Sequence, residues 1–438
     1  MTRTELTRSI GLPGAAFLII GYVVGATIFI LPGSLAADAG PAVYIAYLLA
    51  AIPALFACFA MALIGCAVPA SGSIYIVIRD ALSPALGFMY LWIMVVMAGA
   101  VIPLVAFGFA DYSAYFYAGL DSRLVTLSVI GLFVIVNYLG MKAAAGLQSL
   151  MVVGFIIVLS GFGVGGIANA DPALMRPLFP NGWSPMVMAT ITAYFSYTGV
   201  FIIAEVAGEI KNPGRTIPLA IFLSFAVIIL LYMMVPLALT GVLPWQTLGD
   251  TQMAVVTAAE KFLPGWGVAA IAAGALFAAA TSINGIVMGL SRDFYKGAKS
   301  GLFPRYFGAV HARFNTPGRA VLVIGALSLL GANFGGTVVQ YAQIAVMGLM
   351  VIQVMTGIAL LKLPGKLPDV YAASSFKPGK FTLRFISIGY IVFSMIFLVI
   401  LAVDQPKSVL SGAVFMGLGF AWYLVASRGA AGTSSRHG

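Results

Sequence analysis

The chain has 438 residues, 61% of them hydrophobic and only 8% charged, with a mean hydropathy of +1.06. A soluble domain carries about 25% charged residues, so this composition excludes a water-soluble globular fold, and most of the surface must face lipid. The net charge of +10 would otherwise point to nucleic acid, but its placement along the chain reads as membrane orientation and gives no reason to invoke a nucleic-acid partner.

Twelve apolar segments approach or exceed the ~20 residues that a spanning helix needs. They are predicted at 12–36, 42–68, 86–116, 124–141, 146–168, 186–207, 217–241, 265–291, 319–334, 337–361, 384–402 and 408–427. The first is interrupted by Gly21-Tyr22-Val23-Val24-Gly25-Ala26-Thr27-Ile28-Phe29. It is too long for a secretory signal, so Ala36-Ala37-Asp38-Ala39 is not read as a cleavage site. The second holds both cysteines, Cys58 and Cys66, on roughly one helical face, as packing residues. Pro103 is expected to kink the third, and Asp111 near its end and Asp38 are expected at the interface. The sixth is interrupted at Phe195-Ser196-Tyr197-Thr198-Gly199 and carries Glu205 close to its end. A very short turn near Gly331–Gly336 divides the ninth from the tenth. Of the polar stretches, Arg292–Arg319 begins like a helix end, Lys362–Arg384 is read as an irregular linker, and the tail Gly429–Gly438 as disordered.

With the N-terminus in the cytoplasm and alternating spans, only Arg123, Arg176, Lys261 and Lys407 of the 23 lysines and arginines fall outside. This is the asymmetry of the positive-inside rule. It predicts a multi-pass protein of the cell (cytoplasmic, or inner) membrane with both termini cytoplasmic. The first ten spans divide into five and five. Five is odd, so the second set starts from the opposite side, which gives an inverted repeat. The expected organisation is 1–168 for the first repeat, 186–361 for the second, 384–427 for two appended helices and 428–438 for a cytoplasmic tail.

Lipid offers no hydrogen bonds, so a break in a membrane helix must face protein or a watery cavity. Gly21 and Gly25 permit unwinding, and a second half-helix would start near Ile28, its N–H groups and positive dipole end forming a carboxylate site to which Thr27 adds a hydroxyl. A small-residue packing face explains the same spacing. Unwinding at Ser196-Tyr197-Thr198-Gly199 would free carbonyls suited to an ammonium group; an intact helix with back-bonded hydroxyls is the alternative. Two breaks of opposite polarity, one opening each half, read as a receptor for a zwitterion, of which a free amino acid is the obvious case.

The sequence resembles the amino acid–polyamine–organocation transporters. Gly25–Phe29 matches their Gly-Ser-Gly-Ile-Phe motif, and Pro69-Ala70-Ser71-Gly72-Ser73-Ile74-Tyr75 resembles Pro-x-x-Gly-Gly-x-Tyr. Glu205–Pro218, with Lys211-Asn212-Pro213-Gly214-Arg215-Thr216-Ile217-Pro218, matches the acidic Lys-Asn-Pro signature after the sixth span. Gly301-Leu302-Phe303-Pro304 and Thr316-Pro317 follow in order. The resemblance implies an all-α membrane protein of the leucine-transporter type: twelve transmembrane helices, a five-plus-five inverted repeat, two extra helices, and discontinuous helices 1 and 6. It also implies alternating access and amino acids or related amines as substrates. By motif match, Gly25, Ala26 and Thr27 would hold the carboxylate, the backbone at Phe195, Ser196 and Thr198 the amine, and Phe195 would gate. Thr27 departs from the motif's second glycine, Phe201 stands where some cation-selective members have glutamate, and Phe155 where several have a lysine. The last two departures favour simple exchange or facilitated transport.

Tyr22, Ile28, Phe195, Phe201 and Ile286, beside Gly199, offer aromatic and apolar surface, which favours a neutral amino acid. A cationic amino acid or polyamine, stacked on Phe195, is the alternative. Glu205 is assigned either a gating or structural ion pair near Lys211 and Arg215, or proton coupling. No cofactor or metal is expected, and the oligomeric state is left open. An enzyme is disfavoured because the only histidines, His311 and His437, lie outside the spans. A channel is disfavoured because two unlike breaks supply no repeated filter. A non-transporting sensor on the same fold would be expected to carry a larger regulatory domain.

Overall fold

The computed structural model describes the backbone of residues 6–117, 119–251, 253–333, 338–404 and 406–434, with the side chains of these except 141–143, 338–344, 404, 407–409, 411 and 425–434. Among the described residues there is no strand, only an isolated parallel bridge between Ile10 and Ile210. The first predicted segment is two helices, α1 (Leu12–Val24) and α2 (Thr27–Ala39). Next come α3 (Val43–Ala67), the short α4 (Ser73–Ala81), α5 (Pro84–Ser113), α6 (Ser122–Leu139) and α7 (Met141–Ala168). The sixth segment is again divided, into α8 (Trp183–Phe195), a 3-10 turn over Thr198–Phe201 and α9 (Ile202–Glu205). Then follow α10 (Pro213–Val242), the short α11 (Trp245–Leu248) and α12 (Ala254–Ala259), the 35-residue α13 (Gly265–Lys299), α14 (Gly318–Asn333) and α15 (Val338–Lys366). The short α16 (Pro368–Ala373), α17 (Lys380–Asp404) and α18 (Pro406–Ser434) complete the chain.

Nine stretches of the described residues are long and apolar enough to cross a membrane, the first of them, Leu12–Ala67, embracing α1 to α3; Gly318–Asn333 and Gly412–Leu424 are shorter apolar helices. The centre of the bundle is α13, of whose most apolar window 83% is buried, against 28% for α17 at the periphery. The reason is compositional. The first half of α13 is dominated by alanine and glycine, and small residues let neighbouring helix axes approach closely where lipid gives no hydrophobic drive. It packs on α5, α7 and α1, while α1 lies in turn against α10.

Three sequence expectations need correction. Residues 362–384 are not an irregular linker: α15 continues to Lys366, Pro368 opens α16 at a position where its missing N–H costs nothing, and α17 already starts at Lys380. The tail is helical to Ser434, because extending a formed helix adds one hydrogen bond for each residue fixed; residues 435–438 lie outside the described residues. The sixth segment unwinds over a shorter stretch than expected, since Thr198 and Gly199 already belong to the 3-10 turn. Residues 334–337, which include half of the turn expected near Gly331–Gly336, lie outside the described residues, as do the side chains of Lys142, Lys407 and Arg428 and the whole of Arg3 and Arg436. Cys58 and Cys66 are both buried free thiols, Cys66 donating to the Pro213 carbonyl at 3.8 Å.

Candidate functional site

The first break is made by Gly25, whose φ of 40° and ψ of −154° lie outside the range open to residues with a Cβ. Ala26 then caps α2, accepting from the Phe29 and Ile30 N–H groups at 3.1 and 3.3 Å. The first N–H groups of a helix have no partner within it, so those of Ala26 and Thr27 are offered at the gap. The Thr27 hydroxyl donates back to the Val24 carbonyl at 3.1 Å. At the second break the Thr198 hydroxyl does the same to the Phe195 carbonyl at 2.8 Å. Each gap thus has a threonine that satisfies a carbonyl released by the half-helix before it.

The two gaps meet. A Cβ on Gly199 would come within 2.8 Å of the Tyr22 carbonyl and the Val23 nitrogen, so only glycine lets the second break lie against the first. Tyr232 of α10 joins them, its hydroxyl lying 2.8 Å from the Val23 carbonyl and 3.0 Å from that of Ser196.

Both breaks open on one cavity of about 910 Å³. Of the residues singled out from the sequence, Tyr22, Ala26, Thr27, Phe195, Ser196, Thr198, Gly199, Phe201, Ile286 and Glu205 line it. Gly25 and Ile28 do not. Gly25 faces the Ser282 hydroxyl, and Ile28 is wholly buried, because the turn between α1 and α2 points these two positions into the protein. Phe155 is buried in the core on α7 and takes no part in the wall. The α5 residues that line the cavity run from Tyr90 to Tyr112, about 33 Å of helix at 1.5 Å per residue. Asp111 and Ala114 are exposed at one end.

The other end holds the residues that the sequence reading missed. Glu205 is buried, and its partner is neither Lys211 nor Arg215 but the Tyr90 hydroxyl, 2.9 Å from Oε1; the same hydroxyl is 3.0 Å from Oδ2 of Asp293. The buried ion pair belongs instead to Arg292 and Glu209, Nε to Oε1 at 2.8 Å, with both side chains 1% exposed. Arg292 and Asp293 escape notice because they are charged, which ends the predicted segment at 291. Helix α13 continues through them to Lys299, and the buried Phe294 and Tyr295 just beyond are the signal that the helix does not stop there. The closed end is also tied by main-chain bonds: Ser9 and Ile10 donate to the Glu209 carbonyl at 2.8 and 3.0 Å, and Lys211 donates to that of Ile10 at 2.8 Å.

The amino acid permease family model matches residues 10–425. The chain belongs to the amino acid permease family. It is 27% identical over 387 residues to the branched-chain amino acid permease BcaP of Bacillus subtilis, covering 84% of this chain and 83% of that one. It is 28% identical over 393 residues to the methylthioribose transporter of the same organism, covering 84% of each. It is 26% identical over 381 residues to the mitochondrial cationic amino acid transporter 3 of Arabidopsis thaliana, covering 82% of this chain and 62% of that one. The protein is therefore a multi-pass membrane transporter of the amino acid permease type, not an enzyme.

In this permease the family-like motifs brace the broken helices. Gly72 of the Pro69–Tyr75 string donates to the Glu205 carbonyl at 2.9 Å, and Asn212, at a φ of 46°, turns the chain so that Pro213 can open α10. Phe303 stacks on Phe294, and the Thr316 hydroxyl donates to the Tyr138 carbonyl at 2.9 Å. Behind α1, Asn137, Asn284 and Gln148 link α6, α13 and α7 through side-chain amides 2.8 and 2.9 Å apart. Removing the hydroxyl that joins the breaks should show in stability: Tyr232→Phe is expected to cost about 1–3 kcal/mol for the loss of the one hydrogen that the two buried carbonyls share. The loss is read as a lower unfolding midpoint of the purified permease in detergent.

Proposed function

We propose that this permease moves an amino acid across the cell (inner) membrane by alternating access, the zwitterion lying between the two breaks. The carboxylate is held beyond the Gly25 turn, by the N–H groups of Ala26 and Thr27 at the start of α2. The ammonium group meets the carbonyls at Phe195, Ser196 and Thr198. The side chain then faces Tyr22, Phe195, Phe201 and Ile286, which favours a neutral, apolar amino acid. In this reading the chain crosses the membrane twelve times, as two inverted sets of five plus two, with both termini in the cytoplasm. Glu205 serves gating or coupling at the closed end. The single observation that carries the proposal is that residues of both breaks, Ala26 and Thr27 at the first and Phe195, Ser196, Thr198 and Gly199 at the second, line the same cavity. The name of the branched-chain relative agrees with it.

One observation favours a second reading. Glu205 and Asp293 place two carboxyls on the cavity wall, which suits a cationic side chain and accords with the names of the cationic amino acid transporters among the relatives. A thermal-shift series separates the two. Leucine, isoleucine or valine is expected to raise the melting temperature of the purified protein, since saturation at a hundred times Kd adds about 2.7 kcal/mol. A shift with lysine or arginine alone selects the cationic reading. No shift with any amino acid, but one with methylthioribose, overturns amino acid transport.

A further inference from the structure

We propose that Glu205, Tyr90 and Asp293 form a site for one exchangeable proton at the closed end of the cavity, and that the permease carries this proton with its substrate. The last clause rests on the transport reading above; the site itself does not.

The argument is a count of hydrogens. A phenol hydroxyl has one, and an ionised carboxylate has none to give. The Tyr90 hydroxyl lies 2.9 Å from Glu205 Oε1 and 3.0 Å from Asp293 Oδ2. If both carboxyls were ionised, only one of these contacts would be a hydrogen bond, and the other would set lone pair against lone pair. One added proton resolves both contacts: the protonated carboxyl donates to the phenol oxygen, and the phenol donates to the other carboxylate. The remaining oxygens agree. Glu205 Oε2 and Asp293 Oδ1 are buried without a hydrogen-bond partner, and the two carboxyl groups approach one hydroxyl from either side. Two like charges so close, away from water, cannot both be maintained.

The guanidinium of Arg292, next to Asp293 in the chain, is held by a different acid, Glu209. Tyr22 of α1 lines the cavity with both carboxyls and brings no positive charge. On α13, Arg292 is held bidentate by Glu209 and turns a further nitrogen to the Met288 carbonyl and the Ser291 hydroxyl. Beyond it Lys296 packs on Gly72 and Lys299 over the Tyr295 ring. From α4, Tyr75 lies under the Arg79 guanidinium, which bonds Asp80 and Ser300. The α3 thiols lie elsewhere, Cys66 on the Pro213 carbonyl and Cys58 beside Tyr194 and Tyr390.

The site is placed to exchange. Both carboxyls line the cavity, so a proton reaches them from its open end, while Arg292–Glu209 and the Ser9–Ile10 bonds close the far side. Only seven residues, about 10 Å of helix, separate Thr198 from Glu205. A substrate that moves the second break moves Glu205 against Tyr90 on another helix, and so changes how tightly the proton is held.

Infrared pH-difference spectra of the purified, full-length protein test the site without any substrate. A protonated-carboxyl C=O band is expected near neutral pH, shifted in D2O, lost at high pH, displaced in Tyr90→Phe and absent from Glu205→Gln/Asp293→Asn. No such band at any pH where the protein stays folded, or its persistence in the double variant, overturns the proposal. Proteoliposomes with an internal pH dye test the coupling, using the amino acid that gives the largest thermal shift. The wild type is expected to move protons with substrate, and Asp293→Asn to lower the ratio of protons to substrate at least tenfold. An unchanged ratio overturns the coupling. Absence of amino acid flux in the wild type overturns the transport reading and the carried proton with it, while the infrared band still decides the site.

Discussion

Glu209→Gln is expected to destabilise the permease by about 3–5 kcal/mol, the usual cost of removing one partner of a buried ion pair. Arg292 donates from Nε to Oε1 at 2.8 Å and from Nη2 to Oε2 at 3.3 Å. Its Nη1 is spent on the Met288 carbonyl and the Ser291 hydroxyl, so the guanidinium has fixed partners on its own helix. The substitution keeps the shape of the side chain and deletes its charge, leaving a cation that lipid and core cannot solvate. Arg292→Met is expected to cost a similar amount. The double variant Glu209→Met/Arg292→Met should recover a large part of the loss, because two apolar side chains of similar volume replace both charges. Chemical unfolding midpoints of the purified proteins in detergent measure all three. Single-variant losses below about 1 kcal/mol, the value of a surface pair, would mean that the pair is open to water in the resting protein.

Gly199→Ala is expected to lower uptake about a hundredfold, the scale on which a displacement of about 1 Å disturbs positioned groups. The added methyl would sit 2.8 Å from the Tyr22 carbon and oxygen and from the Val23 nitrogen. These are backbone atoms, so no rotamer change relieves the overlap. The end of α1 must move, and the Ala26 and Thr27 N–H groups with it. Overpacking of this kind also costs stability, typically about 1–3 kcal/mol. Gly131→Ala is the control: a Cβ there meets nothing within 4 Å, and uptake should match the wild type. Radiolabelled uptake in proteoliposomes reads both. Wild-type uptake by Gly199→Ala would show that the two breaks do not need to touch.

Most of the candidate site was legible because breaking a membrane helix leaves a mark in composition. Gly25 and Gly199 stand where apolar runs lack a steric reason for glycine, and the structure puts a left-handed turn at the first and a helix crossing at the second. The helix positions followed from hydropathy for the same reason. What was not legible depends on which residues meet across the bundle. Tyr90 is an aromatic in an apolar run, and nothing local announces that it bridges residues 115 and 203 positions away. Glu205 was visible as a rare acid, but its expected partners, Lys211 and Arg215, were chosen by nearness in sequence. Asp293 and Arg292 were lost to the rule that charge ends a span, although α13 buries both. Tyr232 was likewise silent, since a tyrosine hydroxyl aimed at two carbonyls looks from sequence like any interfacial aromatic.

The bonds from Ser9, Ile10 and Lys211 at the closed end use main-chain groups alone. Such a clasp has no preferred side-chain chemistry, so it leaves no recognisable string of letters and most exchanges at Ser9 or Lys211 would pass through it unnoticed. Proline is the exception, since it arrives without the hydrogen that the clasp needs. This part of the fastening is thus set by how the chain is threaded, whereas the Arg292–Glu209 pair beside it depends on which side chains stand there.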